Sequence, residues 1–182
     1  MRELSLHILD VAQNSVKAGA TLITIEQIQD TAAHTLRFTI ADNGCGMDEE
    51  TVRRVTDPFY TSRTTRKVGL GIPFFKMEAE NTGGSFSISS VPGKGTAVSA
   101  LFHTDHIDCL PVGDMAGTIT ALVQCNPELD FVYRLCVNGS GFTMDTREFR
   151  EQLEGVPLNN PDVVQFMKEF LKENSETTYG GA

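Results

Sequence analysis

The stretch Asp42-Asn43-Gly44-Cys45-Gly46-Met47-Asp48, at the end of the apolar run Leu36 to Ile40, constrains this chain more than any other. Leu36, Phe38 and Ile40 alternate with Arg37 and Thr39, the period of a strand with one buried face. An acidic residue closing such a strand, with two glycines one residue apart behind it, suits a turn where the backbone approaches a flat ligand and a carboxylate meets a donor. The same pattern is also an ordinary way to leave a strand. Its meaning depends on what flanks it.

Upstream, Leu4, Ile8, Leu9, Val11, Ala12 and Val16 recur mostly three or four apart, which predicts an amphipathic helix from Leu4 to Ala18 ended by Gly19. Asp10 and Asn14 are one turn apart on it, with Lys17 three residues on, so two oxygen-bearing side chains and an ammonium share one stripe. A solvated helix face would look the same. Thr21 to Gln29 alternates, and with Leu36 to Ile40 it predicts a hairpin closed by Asp30 to His34. Asp48 is placed to cap a short helix with Glu49 and Glu50 in its first turn, stopped at Asp57-Pro58. Phe59 to Gly71, dense in hydroxyls, cations and glycine, reads as a loop. It leads into a helix opened by Ile72-Pro73 and closed by Asn81 to Gly84. Glycines at a helix start expose N–H groups at the positive end of the dipole, which suits phosphate, and Arg63, Arg66 and Lys67 add charge nearby. The bland alternative is a basic, solvated loop. Phe86 and Ile88 mark a strand, Pro92 to Gly95 a turn, and Thr96 to Phe102 another strand. Two hairpins and about three helices, without regular βαβ alternation, make an α+β unit.

The 182 residues allow one domain with an appendage. The net charge of −9 argues against a nucleic-acid surface, and its distribution suggests a boundary. Residues 103–182 carry five Lys+Arg against thirteen Asp+Glu, while 1–102 carry ten against eleven. This organises the chain as an N-terminal domain over 1–103, an acidic α+β extension over 104–174 and a polar, disordered tail over 175–182. Within the extension, Thr104 to Met115 reads as linker, Gly117 to Gln124 and Phe131 to Asn138 as strands, Asp145 or Thr146 as a helix cap, and Asn160-Pro161 as the start of a longer helix. The four cysteines form no CxxC pair or Cys/His cluster. No apolar run is long enough to span a membrane and no signal-peptide pattern opens the chain, so a cytoplasmic location is expected.

Taken together, these segments resemble the GHKL ATPases, the superfamily joining gyrase-type ATPases, heat-shock chaperones, histidine kinases and MutL-type repair proteins. Leu9 to Thr21 is similar to the N box, and Asp42 to Met47 to the first glycine box. Asp57 to Ser62 followed by Gly69-Leu70-Gly71-Ile72 resembles the phenylalanine box, lid and second glycine box of histidine kinases. Gly83 to Thr96 resembles the closing strands of the kinase catalytic domain. The resemblance implies the Bergerat fold, a two-layer α/β sandwich with a mixed, mostly antiparallel sheet and helices on one face.

It also implies ATP and Mg2+ as ligands. Asp42 would accept from the adenine amino group beside Gly44 and Gly46, and Thr96 would hold the same edge. Asn14 would ligate magnesium and Lys17 would contact phosphate. Thr61, Arg63, Gly69, Leu70 and Gly71 belong to the phosphate-side lid and second glycine box. Asp10 stands where hydrolysing members carry a glutamate general base. Being one methylene shorter, it is expected to support slow hydrolysis at best, or to reach magnesium through water. Lys67 stands where another glycine is common, implying a stiffer or smaller lid. The helical hairpin that presents a phosphoacceptor histidine in kinases is expected to be missing upstream of the N box, and His7, His34, His103 and His106 are not expected to be phosphorylated. Residues 117–138 are expected to replace the strands that precede the N box, at the sheet edge.

The expected function is a Mg-ATP-binding, histidine-kinase-like signalling phosphotransferase acting in trans on a protein partner, with a homodimer left open, no nucleic-acid partner and no membrane span. The alternatives are a non-catalytic ATP-sensing module, an anti-sigma-type serine kinase and a slow ATPase.

Overall fold

The computed structural model describes residues 3–57 and 70–181. Among these the order is α1 (Leu4–Lys17), β1 (Leu22–Asp30), β2 (Thr35–Asp42), α2 (Glu49–Thr56), α3 (Gly71–Asn81), β3 (Ser85–Val91), β4 (Gly95–His103), α4 (Met115–Cys125), β5 (Asp130–Val137), β6 (Ser140–Asp145), α5 (Thr146–Gln152) and α6 (Pro161–Gly180). The strands form one six-stranded sheet in the order β3-β4-β2-β1-β5-β6. Every pairing is antiparallel except β1 with β5.

Period-two alternation puts one face of this sheet in the core. Ile23 and Ile25 of β1, Leu36, Phe38 and Ile40 of β2, Ala100 and Phe102 of β4, and Phe131, Tyr133 and Leu135 of β5 are all buried. The opposite face carries Ser85, Ser87, Ser89, Arg37 and the cross-strand pair Glu26–Arg134 at 3.4 Å. Helices cover the apolar face: α1 lies between α3 and α4, and α4 between α1 and α6. Phe75 of α3 meets Phe102 of β4 with ring centroids 5.6 Å apart. Each such buried side chain contributes roughly 1.5–3 kcal/mol, and removing one would loosen the seat of α3. The result is the α+β sandwich expected, with a mixed, mostly antiparallel sheet.

Three expectations for the second half of the chain need correction. Gly117 to Gln124 is helical, part of α4. Its β-branched Thr118, Ile119, Thr120 and Val123 favour a strand locally, but Met115, Ala116, Ile119, Leu122 and Val123 form one buried stripe at helical spacing. Asp114 also caps the helix, accepting from the Gly117 N–H at 2.8 Å. The expected replacement of the edge strands by residues 117–138 therefore holds only for its second strand: β5 extends the same sheet parallel to β1, and the other added strand is β6, antiparallel to β5. The tight turn joining β5 to β6 uses Asn138 at φ 51° and Gly139 at φ 84°, the Asn-Gly pair that favours a two-residue hairpin. Finally, residues 175–180 are not disordered but close α6. Gln27 of β1 donates to the Tyr179 hydroxyl at 2.8 Å and accepts from the Tyr133 hydroxyl at 2.8 Å. A buried amide on an apolar strand face needs such partners, and they tie the end of the chain to the centre of the sheet.

The linker into α4 is also fastened to α1. The Leu4 and Ser5 N–H groups donate to the carbonyls of Pro111 and Val112 at 2.9 and 2.8 Å, satisfying donors that a helix start otherwise leaves open. Two residues later His7 is 2 % exposed, stacked on Phe75 with centroids 6.3 Å apart, and neither ring nitrogen finds a hydrogen-bond partner among the described residues. Burial holds its pKa below the ordinary 6.5, with Asp10 pulling the other way. The unfolded chain therefore takes up the proton first, so stability is full above 6.5 and is lost as the pH falls below it. A His7→Phe variant should lose this part of the acid sensitivity: its thermal midpoint should fall less than the wild-type midpoint when unfolding is compared at about pH 7 and about pH 5.

Candidate functional site

Four of the residues singled out in the sequence, Asn14, Asp42, Gly46 and Thr96, meet where the C-terminal half of α1 passes the end of β2. Ser15 on α1 donates to Asp42 Oδ2 at 2.6 Å, while Asp42 Oδ1 accepts from the N–H groups of Gly44 and Thr96 at 2.9 and 3.3 Å. The carboxylate at the end of β2 is thus pinned by a helix, by its own turn and by β4. It borders a cleft of about 160 Å³, lined by Val11, Ile40, Met47, Val55, Ile72 and Val98, with Asn14, Ser15, Asp42 and Thr96 as polar groups. An apolar slot with a few convergent polar groups suits a flat heterocycle better than a sugar or a peptide.

The turn that shapes this slot depends on glycine. Gly46 has φ +66°, and a Cβ there would overlap the Val91 carbonyl oxygen, so the turn packs against the β3–β4 hairpin backbone to backbone. Cys45, unexplained in the sequence, holds the same junction by its main chain: its N–H donates to Ala18 O at 2.9 Å and its carbonyl accepts from Gly93 at 2.7 Å. Cys45 is among the residues that line the cleft, and its thiol lies 3.5 Å from the Gly46 carbonyl.

Asp10 lies on α1 one turn before Asn14, half-buried, beside the start of α3. A Cβ at Gly71 would come within 2.9 Å of the Asp10 Cβ, so glycine is what lets the first turn of α3 approach α1 here. The N–H groups of that turn form the positive end of the α3 dipole. Leu70 is the N-cap residue, 45 % exposed, and Lys17 is exposed in the last turn of α1. Asn14, Asp42, Gly46 and Thr96 therefore come together at the cleft, Gly44 braces Asp42 from behind, and Asp10, Gly71 and Leu70 stand at its α3 side. Thr61, Arg63 and Gly69, with Arg66 and Lys67, lie outside the described residues.

Two residues of the site were not singled out in the sequence. Ser15 follows Asn14 and, one turn after Val11, faces the sheet. Ser90 lies opposite Thr96 in the β3–β4 register and accepts from Met47 N–H at 2.7 Å. The signal for Ser90 was its place six residues before Thr96 across a tight hairpin. A second, larger cleft of about 520 Å³ lies between the 112–116 segment and the end of α6, over Gln27, Tyr133 and Leu135. It holds none of the motif residues, so chemistry rather than size selects the first.

Residues 1–106 match the family described as histidine kinase-, DNA gyrase B-, and HSP90-like ATPases. A putative sensor protein of Shewanella frigidimarina is 33% identical over 103 residues, 56% of this chain and 16% of its own length. The sensor protein kinase FleS of Pseudomonas aeruginosa is 32% identical over 94 residues, covering 52% of this chain and 23% of its own. Sporulation kinase B of Bacillus subtilis is 28% identical over 106 residues, 57% and 24% of the two chains. The chain therefore spans less than a quarter of the length of these relatives. Among solved structures, the MutL ATPase domain of Aquifex aeolicus complexed with ADP superposes with a TM-score of 0.51 at 16% identity, covering 85% of this chain and 68% of that one. At that identity the likeness is one of fold.

Replacing Gly46 by Ala adds a side chain at positive φ and against a carbonyl, so Gly46→Ala should destabilise by about 2–4 kcal/mol in denaturant unfolding. Gly93→Ala serves as a comparison, since it shares the positive φ but has nothing within 4 Å of the added carbon, and should cost clearly less.

Proposed function

The chain belongs to the histidine kinase-, DNA gyrase B-, and HSP90-like ATPases, and from that footing we propose that it binds Mg-ATP in the cleft between α1, the Asp42 turn and α3, and passes the γ-phosphoryl group to an acceptor on another protein. The observation that carries this reading is the Asp42 carboxylate, fixed by Ser15, Gly44 and Thr96 at one end of an apolar slot. A carboxylate can only accept, so it selects a ring bearing an amino group, as adenine does. The phosphates then extend along α1 past Asn14 toward the start of α3.

The residues present fit a bound magnesium ion, with the Asn14 amide oxygen as a hard donor and Asp10 one helical turn away on the same side. Bound there, the ion would neutralise phosphate charge. Residues 1 to 103 are the nucleotide-binding unit in this reading, and 104 to 174 the extension that braces it.

Transfer in trans is supported by where the histidines lie. His7 is buried against Phe75. His34 and His103 flank the Thr35 end of the β2–β4 pairing, whereas Asp42 and Thr96 pair at the other end, about 25 Å away along the strand. Catalysis in such a site is positioning and charge stabilisation. Asp10, one methylene shorter than glutamate, favours transfer over fast hydrolysis.

A second reading is an ATP-responsive binding module. It is favoured by the two backbone hydrogen bonds from the start of α1 to Pro111 and Val112, which give the extension a direct hold on the helix that carries Asn14. Labelled ATP, given to the purified protein alone and with cell-lysate fractions, separates these readings. Label reaching a partner protein supports transfer, label on serine of a partner points to an anti-sigma-type kinase, free phosphate alone to a slow ATPase, and binding without either to the module. No helix among the described residues is long and apolar enough to cross a membrane.

Two substitutions divide the binding end from the phosphate end. Asp42→Asn should weaken ATP binding about 10- to 100-fold in calorimetry, the worth of one hydrogen bond to a charged group. Asp10→Asn should leave that affinity within about twofold and lower any measured hydrolysis; an unchanged rate would remove Asp10 as the base.

A further inference from the structure

We infer that Ser90 is a positioning residue that sets whether the Thr96 hydroxyl offers the nucleobase a donor or an acceptor, and so governs recognition of the ring nitrogen beside the adenine amino group. This inference rests on the reading of the cleft as an ATP site.

Ser90 Oγ has three neighbours. It accepts from the Met47 N–H at 2.7 Å, lies 3.1 Å from the Gly95 carbonyl, and is 2.8 Å from Thr96 Oγ1, where either hydroxyl can donate. A serine hydroxyl has one proton, which leaves two arrangements. If the Ser90 proton goes to the Gly95 carbonyl, Thr96 gives its own proton to Ser90 and shows only lone pairs to the cleft. If the Ser90 proton goes to Thr96, the Thr96 proton is free to enter the cleft. The Met47 bond survives in both, so the turn and hairpin need not move. The Thr96 N–H cannot substitute, since it already donates to Asp42 Oδ1 at 3.3 Å.

The base decides which arrangement is needed. Asp42 takes the exocyclic amino group, because a carboxylate accepts and cannot donate. The adjacent ring nitrogen of adenine, N1, is an acceptor and needs a donor, which the second arrangement supplies. Chained hydroxyls polarise one another, so a Thr96 proton is a better donor when Ser90 donates to Thr96 behind it. Without Ser90, the Thr96 hydroxyl loses the partner that fixes its rotamer and is free to turn its proton away from the cleft.

The test compares ATP with 1-deaza-ATP, which keeps the amino group and lacks the N1 acceptor, by calorimetry on the full chain. In the wild type, ATP should bind about 5- to 10-fold more tightly than 1-deaza-ATP, the worth of one neutral hydrogen bond. Ser90→Ala should reduce that ratio to within about twofold, matching Thr96→Val, and Ser90→Thr should restore it. Ser90→Cys, nearly isosteric and a poor donor, is expected to behave as Ser90→Ala and serves if the alanine variant does not fold. A merely structural serine would weaken both ligands by the same factor and leave the ratio at its wild-type value; that result overturns the inference while the ATP reading stands. Wild-type protein that binds neither ligand overturns both.

Discussion

The fixed carboxylate of Asp42 is the interaction on which the site depends. Its three donors come from α1, from the turn after β2 and from β4, so the elements that form the cleft are held at one point by hydrogen bonds to a single side chain. Charge-assisted bonds of this kind are short and directional, and the 2.6 Å contact with Ser15 fits that description. The same oxygens that organise the turn are those that would read an amino group. Order in the protein and selectivity for an amino-bearing ligand would therefore share one cause. Gly46 completes the arrangement by letting the turn sit directly on the β3–β4 hairpin.

The second half of the chain supports this from behind. Strands β5 and β6 extend the sheet beyond β1, so β1 is an interior strand with a partner on each side. The Tyr133–Gln27–Tyr179 chain then ties the end of α6 to the middle of β1. Burial pushes the Tyr133 phenol upward in pKa, in keeping with a hydroxyl that serves as a neutral donor. The linker carbonyls of Pro111 and Val112 hold the first turn of α1, nearly three helical turns before Asn14. Residues after 103 are thus continuous with the architecture that presents the site.

The first hundred residues were legible because their patterns are local. Alternation in β1 and β2, helical spacing in α1, the Asp48 cap and the glycines of the Asp42 turn each act within a few residues, and the resemblance added their order. Gly117 to Gln124 misled because its β-branched residues suit a strand, while the buried stripe that makes it a helix depends on α1, far away in sequence. The end of α6 was unreadable for a related reason: a polar segment looks disordered until Gln27, at a distance of 152 residues in sequence, offers Tyr179 a bond. β6 has a local signal in Asn138-Gly139, the turn pair that directly follows the alternating run of β5. Within the site, Asp42, Asn14 and Thr96 were visible as motif residues, whereas Ser15 and Ser90 were not, since their importance comes from cross-strand and helix-to-turn contacts that only the fold creates.

The most direct test of the account is an amide chemical-shift map of the 15N-labelled protein as Mg-ATP is added. The account predicts that the Gly44 and Thr96 amides, whose protons point at Asp42, shift together and saturate at one affinity, with Met47 following through Ser90. Shifts confined to Gln27, Tyr133 and Tyr179 at the second cleft, with Gly44 and Thr96 unmoved, would contradict it.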